Sequence, residues 1–378
     1  MADELRALTR LAFEEIGAGA GGIGQVHRAI AERAFPGPGP AKALHDGISG
    51  AVYASVAGAA ALAGRAAAVT VRDRPLSTTP RGAAVLGVLN GLRGDALERE
   101  GSELATAMTL RADGEPGPRI AVFVHGLFET EHAWGYGGGA RYGDRLASEH
   151  GFTPVYVRFN TGRHISENGR SLAESLDELA AGWPVPIEQI VLIGHSMGGL
   201  VARSACHAGG EWAGRVTHIV SLGSPHSGAP LESAVHYAAA ALGAVPETRP
   251  FSRFLRRRSA GIRDMRRGSL VDEDWEGRDP EALRAAACRE VALLDGASHC
   301  FVAATVTRDA RNPVARLIGD WLVLEASASR RAQQTLHVGG AHHLALLNHP
   351  AVYERLSEWL DPRPGQPATR RPARAPAS

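Results

Sequence analysis

Short runs made up mostly of apolar residues recur along the chain as candidate strands, separated by stretches of helical periodicity. The runs are residues 120–124, 154–159, 189–193, 216–222 and 300–306. A run of this kind is typical of a strand that is buried on both faces of a parallel sheet. Four apolar residues after the second run predict a helix, since they fall on one helical face: Ile165, Leu172, Leu176 and Leu179. Strands that alternate with helices predict an α/β fold with a mostly parallel central sheet.

The third run leads directly into a turn that carries a serine. Gly194-His195-Ser196-Met197-Gly198 stands between this run and residues 200–205, which favour a helix. Small residues at positions 194 and 198 suit a tight turn in which strand and helix approach closely and the serine hydroxyl is exposed at the top of the sheet. The pentapeptide alone is weak evidence. Its strand-to-helix context favours a nucleophile over a glycine-rich turn with an unrelated serine.

A serine nucleophile requires backbone amides that stabilise the oxyanion. The first run ends at His125-Gly126-Leu127, where Gly126 allows the backbone to turn toward Ser196. The amides of Leu127 and Met197 are therefore the predicted oxyanion hole. The alternative is that His125-Gly126 only ends a strand.

The triad of such a site follows the chain order serine, acid, histidine. Asp320 and His343 satisfy this order, with His343 as the base and Asp320 as the residue that orients its imidazole. Two alternatives stay open: Asp309 as the acid and His342 as the base. A zinc site built from histidines is disfavoured because the spacing of known zinc motifs is absent; its ligands would be His337, His342, His343 and His349. No metal and no cofactor is expected.

These motifs resemble the lipase and esterase branch of the α/β-hydrolases, in particular the bacterial PGAP1-like (GPI inositol-deacylase-like) proteins. The resemblance covers about residues 116–361, and its motifs are residues 123–127, 194–203, 222–230 and 343–350. It implies an α/β-hydrolase fold, with Ser196 as the nucleophile and His343 as the base.

Composition divides the chain into three regions. Residues 1–115 are rich in Ala and Gly and predict a helical N-terminal region with a break at residues 36–40. Within it, residues 47–64 carry no charge, but small residues dominate, which favours a buried helix or helical hairpin over a bilayer span. Residues 116–361 form the predicted hydrolase domain. The Pro- and Arg-rich residues 362–378 predict a disordered tail.

An insertion interrupts the alternation of strands and helices between residue 230 and about residue 290. It predicts a helical cap above Ser196, with Phe251, Phe254 and Leu255 as its apolar underside and a run of arginines after them. The alternative is an ordinary solvated loop. A basic amphipathic cap would also allow peripheral contact with anionic lipid.

Charge and cysteine content narrow the class of protein. The 378-residue chain has 41 basic and 40 acidic residues, which gives no reason to expect a nucleic-acid partner. Three cysteines are too few for a disulfide framework, and the first residues lack the pattern of a secretory signal. A cytoplasmic location is therefore expected, with membrane association left open.

Together these features predict a serine hydrolase of carboxylic esters, esterase- or lipase-like, that forms an acyl-enzyme on Ser196. Its substrate would be a small-molecule ester or a lipid. A thioesterase or acyltransferase with the same triad is an alternative, and so is a non-catalytic binding or scaffolding protein that kept the fold. The sequence makes no prediction of the oligomeric state.

Overall fold

The computed structural model describes residues 4–35, 37, 39–70, 75–226, 228, 256–280, 282, 287–305 and 333–360, together with isolated positions between 242 and 252. Several predictions concern residues outside these ranges. They are the two candidate acids, the apolar underside of the cap and the C-terminal tail: Asp309, Asp320, Phe251, Phe254, Leu255 and residues 362–378.

A central sheet organises the described part of the chain. Its strands are β1 (Thr109–Ala112), β2 (Arg119–Val124), β3 (Thr153–Arg158), β4 (Gln189–His195), β5 (Val216–Leu222), β6 (Ser298–Thr305) and β7 (Gln333–Gly339). They form a seven-stranded sheet in the order β1-β3-β2-β4-β5-β6-β7. Only the pairing of β1 with β3 is antiparallel; the other described pairs are parallel. The mostly parallel α/β sheet predicted from the sequence is confirmed.

The strands predicted from apolar runs are the interior ones. The side chains from Ile120 to Val124 in β2 have no solvent exposure, and most of β4 is equally buried. The edge strands β1 and β7 were not predicted, because burial alternates along them and leaves no continuous apolar run. Since β1 starts at Thr109, the sheet begins before the predicted domain boundary at residue 116.

Helices of the domain cover both faces of the sheet, and further helices precede the sheet in the chain. Their bounds are α1 (Glu4–Ala34), α2 (Pro40–Thr70), α3 (Pro80–Arg99), α4 (Tyr142–His150), α5 (Ile165–Gly182), α6 (Met197–Ala208), α7 (Ala260–Met265) and α8 (Pro350–Leu360). Residues of α5 and α6 share one hydrophobic cluster with the sheet, and residues of α4 and α8 share the cluster on its other face. The predicted helix after Pro350 is therefore present, with Val352 and Leu356 buried.

The N-terminal region forms a long helical hairpin, which we call the α1–α2 hairpin. The two helices run in opposite directions, so that Gly17 lies against Ala57 and Gly24 against Tyr53. Residues 47–64 lie within α2, so of the two predicted forms the helical hairpin is present, whereas a buried helix is not. The main helical contact of α2 is with α1, which covers only one side of it.

The described part of the predicted cap is built into the flank of the domain. Asp264 in α7 accepts a hydrogen bond from the Ile165 amide at 2.9 Å, and the Ser204 hydroxyl donates to the Leu270 carbonyl at 2.7 Å. Leu270 is buried in the cluster formed by α5 and α6. The prediction of a cap above Ser196 therefore concerns the residues before 256, few of which are described.

Candidate active site

Ser196 occupies a strained turn between β4 and α6. Its backbone angles are φ 52° and ψ −121°, and Phe128 is the only other described non-glycine residue with a positive φ. A conformation of this kind costs about 1–3 kcal/mol and persists only where the surrounding structure enforces it. The turn has the geometry that the strand, serine and helix pattern predicts.

Two glycines make this turn sterically feasible. A Cβ atom on Gly198 would lie 2.1 Å from the carbonyl oxygen of Val124, and one on Gly194 would lie 2.4 Å from the amide nitrogen of Gly199. Neither distance is tolerable for a carbon atom next to backbone. The start of α6 therefore rests directly on the end of β2, which fixes Ser196 relative to the neighbouring strand.

The loop after β2 lies beside Ser196. A Cβ atom on Gly126 would be 3.0 Å from the Cβ of Ser196, so the loop that carries Leu127 passes next to the serine. Met197 is the first residue of α6, and the first amides of a helix have no carbonyl partner within it. The structure thus brings both predicted oxyanion donors, Leu127 and Met197, to the turn of Ser196.

A buried carboxylate, which the sequence reasoning missed, holds this loop in place. The Gly126 amide donates to Oε2 of Glu129 at 2.7 Å, and Nδ1 of His195 lies 3.0 Å from the same oxygen. Burial alone would raise the pKa of Glu129, but His195 and the Gly126 amide outweigh it and lower the pKa overall. Glu129 therefore carries a negative charge that ties the loop after β2 to His195, the residue before Ser196.

The rings of the adjacent residues His342 and His343 pack against different parts of the protein. The His343 ring packs on Gly223, where an added Cβ would lie 2.8 Å from Cε1 of His343, and its ring centroid is 4.6 Å from that of His195. The residue before Gly223, Leu222, accepts a hydrogen bond from the Ser196 amide at 2.8 Å. His342 is exposed and packs against Tyr136 with ring centroids 5.9 Å apart. The structure therefore brings His343, and not His342, close to the turn of Ser196.

His226, in the predicted motif 222–230, is a half-buried histidine with a different environment. Its Nδ1 lies 3.2 Å from Nη1 of Arg203. The other terminal nitrogen of Arg203, Nη2, donates to the Val291 carbonyl at 2.9 Å. Burial, together with the charge of Arg203 and the neighbouring His299, lowers the pKa of His226 well below its usual range. His226 is therefore neutral and helps to position Arg203 on α6.

Helix α3, which belongs to the N-terminal region, packs against the loop after β2. A Cβ atom on Gly91 would lie 2.2 Å from the Phe128 ring, and one on Gly87 would lie 2.9 Å from the Glu129 carbonyl oxygen. The sequence reasoning found no chemistry in residues 1–115. The glycines of α3, within a region predicted to be helical, were the available signal, because glycine in a helix often marks a close approach.

The described residues include the candidate base, His343, but neither candidate acid. Asp309 and Asp320 lie outside them, so their roles stay predictions. Among the residues that the structure describes, no group of three His, Cys, Asp or Glu side chains is placed to hold a metal ion.

Comparison with known proteins agrees with this geometry. A family model described as the PGAP1-like alpha/beta domain matches residues 158–276, from the end of β3 past α7. No curated protein matches the chain in sequence.

Several solved structures resemble the chain at low identity. A lipase from Bacillus licheniformis in its mature form is 17% identical with a TM-score of 0.43, over 67% of this chain and 97% of that one. An epoxide hydrolase of the alpha/beta hydrolase superfamily, from metagenomes of hot environments, is 14% identical with a TM-score of 0.41, over 68% and 95%. A lipase-esterase related protein from Clostridium acetobutylicum is 11% identical with a TM-score of 0.38, over 67% and 99%.

The assignment of the fold depends on the parallel sheet, the serine turn between β4 and α6, and the match of the central residues to the family model. The chain has an α/β-hydrolase fold, and its residues 158–276 are similar to the PGAP1-like alpha/beta domain.

Proposed function

We propose that the protein is a serine hydrolase that cleaves carboxylic esters through an acyl-enzyme on Ser196. The observation that carries the proposal is the placement of Ser196 at a left-handed turn beside two structures, the loop of Leu127 and the ring of His343. Serine is a weak nucleophile until a base takes its proton, and His343 is the histidine next to this turn.

The reaction follows from these positions. His343 takes the proton of the Ser196 hydroxyl while the oxygen attacks the ester carbonyl, and the amides of Leu127 and Met197 stabilise the resulting oxyanion. The protonated His343 then returns the proton to the departing alcohol, which leaves the acyl-enzyme. Water activated by His343 attacks the acyl-enzyme and releases the carboxylic acid.

Strain at Ser196 favours an enzyme over a non-catalytic scaffold. A binding protein that kept only the fold gains nothing from a serine at φ 52°, and glycine would occupy this position without strain. A thioesterase or acyltransferase forms the same acyl-enzyme, so it differs only in the bond cleaved or in the acceptor.

The nucleophile is tested by Ser196→Ala. We expect this variant to lose hydrolysis of p-nitrophenyl acetate and p-nitrophenyl octanoate by at least about 10³-fold, with thermal unfolding nearly unchanged. Ser221→Ala is the matched control, since Ser221 is a buried serine at the end of β5 whose hydroxyl has no hydrogen-bond partner among the described residues. Turnover that survives in Ser196→Ala would refute the mechanism.

Asp320 is the proposed acid, with Asp309 as the alternative. Asp320→Asn should lower kcat by about 10⁴-fold, because an unoriented imidazole presents the wrong tautomer, whereas Asp309→Asn should change kcat little. Steady-state kinetics on the two variants decides between them. The reverse ranking would assign the role to Asp309.

A further inference from the structure

The outer face of α2 is apolar although it is exposed. Its large hydrophobic residues are half to four-fifths exposed, among them Ile48 at 58%, Val52 at 53% and Leu62 at 66%. Between residues 47 and 64 no exposed side chain is charged, and Ser55 carries the one exposed hydroxyl. A helix that faces water carries polar residues on its outer face. Water is therefore not the medium for which this face is suited.

The apolar surface is too wide for one protein partner. At about 100° per residue, the exposed positions of α2 cover about 220° of its circumference. A helix that docks on another protein buries a stripe roughly 100° wide. A surface twice that width suits a medium that surrounds the helix, which lipid does and a second copy of the chain does not.

The length and the flanking charges of α2 also suit a membrane. Helix Pro40–Val69 is long and apolar enough to cross a bilayer, and 17% of its most apolar window is buried within the protein. The uncharged stretch 47–64 is about 27 Å long at 1.5 Å per residue. The ion pair of Lys42 and Asp46 precedes this stretch and Arg65 follows it, so charged groups occur only beyond its two ends.

Charges on α1 determine how the hairpin meets the lipid. Helix α1 exposes apolar residues such as Ile23, but Glu14, Arg28 and Glu32 are exposed on it as well. The outer face of α2 has no charge along residues 47–64. Insertion tip first would carry Arg28 and Glu32 through the hydrocarbon. With α2 lying in the interface and α1 above it, these charges stay in water and the apolar face enters the acyl region.

The attachment of the hairpin is next to the catalytic site. Leu11 of α1 packs with Leu86 of α3, and α3 contacts the loop after β2 at Gly91 and Phe128. We propose that the α1–α2 hairpin binds the surface of a phospholipid bilayer through the outer face of α2.

The test is flotation of the purified full chain with phosphatidylcholine vesicles that contain phosphatidylglycerol. The wild type should float with the vesicles in both 0.1 M and about 0.5 M salt, because burial of apolar surface is not screened. A triple variant, Ile48→Lys, Val52→Lys and Val56→Lys, should lower the vesicle-bound fraction at least about tenfold. These side chains are exposed, so the variant should keep its circular dichroism.

A matched control has the same chemistry on α3. Val85, Val88 and Leu92 are exposed by 47%, 48% and 45%, and their replacement by Lys should leave flotation unchanged. Electrostatic binding through the arginines after residue 255 would give the opposite pattern, since added lysines would strengthen it and salt would abolish it. That pattern, failure of the wild type to float, or equal loss in the control would overturn the proposal. So would a dimer that the α2 variant dissociates without any binding to vesicles.

Discussion

The turn that carries Ser196 and the α1–α2 hairpin contain similar residues, but these residues have opposite structural effects in the two regions. Both are rich in glycine and small apolar residues. At the turn, a Cβ on Gly194 or Gly198 would lie within 2.4 Å of backbone atoms, whereas Gly47, Gly50 and Gly58 of α2 have no atom within 4 Å of the same position. Glycine permits close contact at the turn and between α1 and α2, as at Gly24, but leaves a bare surface on the outer face of α2.

This difference shows what small residues mean in each place. At the turn they allow α6 to rest on β2 and hold Ser196 in a conformation that a loose structure would relax. On the hairpin they give a helix that packs on one neighbour and offers the rest of its circumference to a partner outside the chain. Composition alone does not separate the two; the distances to neighbouring backbone do.

The largest expected effect sharpens the catalytic side of the comparison. His343→Ala should lower kcat by about 10³-fold or more, because it removes the base at the turn, while His342→Ala should change kcat less than about threefold. The two residues are adjacent, yet only His343 packs at Gly223. Ester hydrolysis by both variants measures the difference, and equal losses would show that the site does not distinguish them.

Substitution of glycine tests the two regions directly. Gly198→Ala should destabilise the protein by about 3 kcal/mol or more, because its Cβ would meet the Val124 carbonyl at 2.1 Å. Gly58→Ala should stabilise it by about 0.5–1 kcal/mol, since alanine favours helix and the space around Gly58 is open. Urea unfolding reports both changes. Similar values for the two variants would contradict the contrast.

A smaller effect is expected at the loop after β2, which lies between the turn of Ser196 and helix α3. Glu129→Gln should lower kcat by about 10–100-fold with little change in KM, because a neutral amide oxygen accepts from Gly126 and His195 more weakly than a carboxylate does, and the loop after β2 is held less firmly. Glu131→Gln is the control two residues away. It loses an ion pair with Arg158 that lies outside the site and should affect thermal stability more than kcat.

The interior of the sheet was predictable from sequence, and its margins were not. Strands β2 to β6 appear as apolar runs because both of their faces are covered, and the Ser196 turn follows from its strand and helix neighbours. Strands β1 and β7 lie at the sheet edges, where only one face is buried. The alternation of more and less exposed residues in these two strands is too short to distinguish them from loops.

The parts of the site that were missed depend on tertiary contacts. The pairing of Glu129 with His195 joins the loop after β2 to the last residue of β4, and no local pattern encodes it. Exposure of α2 was missed for a related reason. Periodicity predicts a helix, but which side is covered depends on where α1 packs, as at Gly17 and Ala57.

The most direct measurement is the reaction of the purified full-length protein with a fluorophosphonate, followed by mass spectrometry of its peptides. Fluorophosphonates react with serines that a neighbouring base activates. We predict one adduct per chain, on Ser196, with no adduct in Ser196→Ala and much slower labelling in His343→Ala. A correctly folded wild-type protein that forms no adduct at Ser196 would contradict the account.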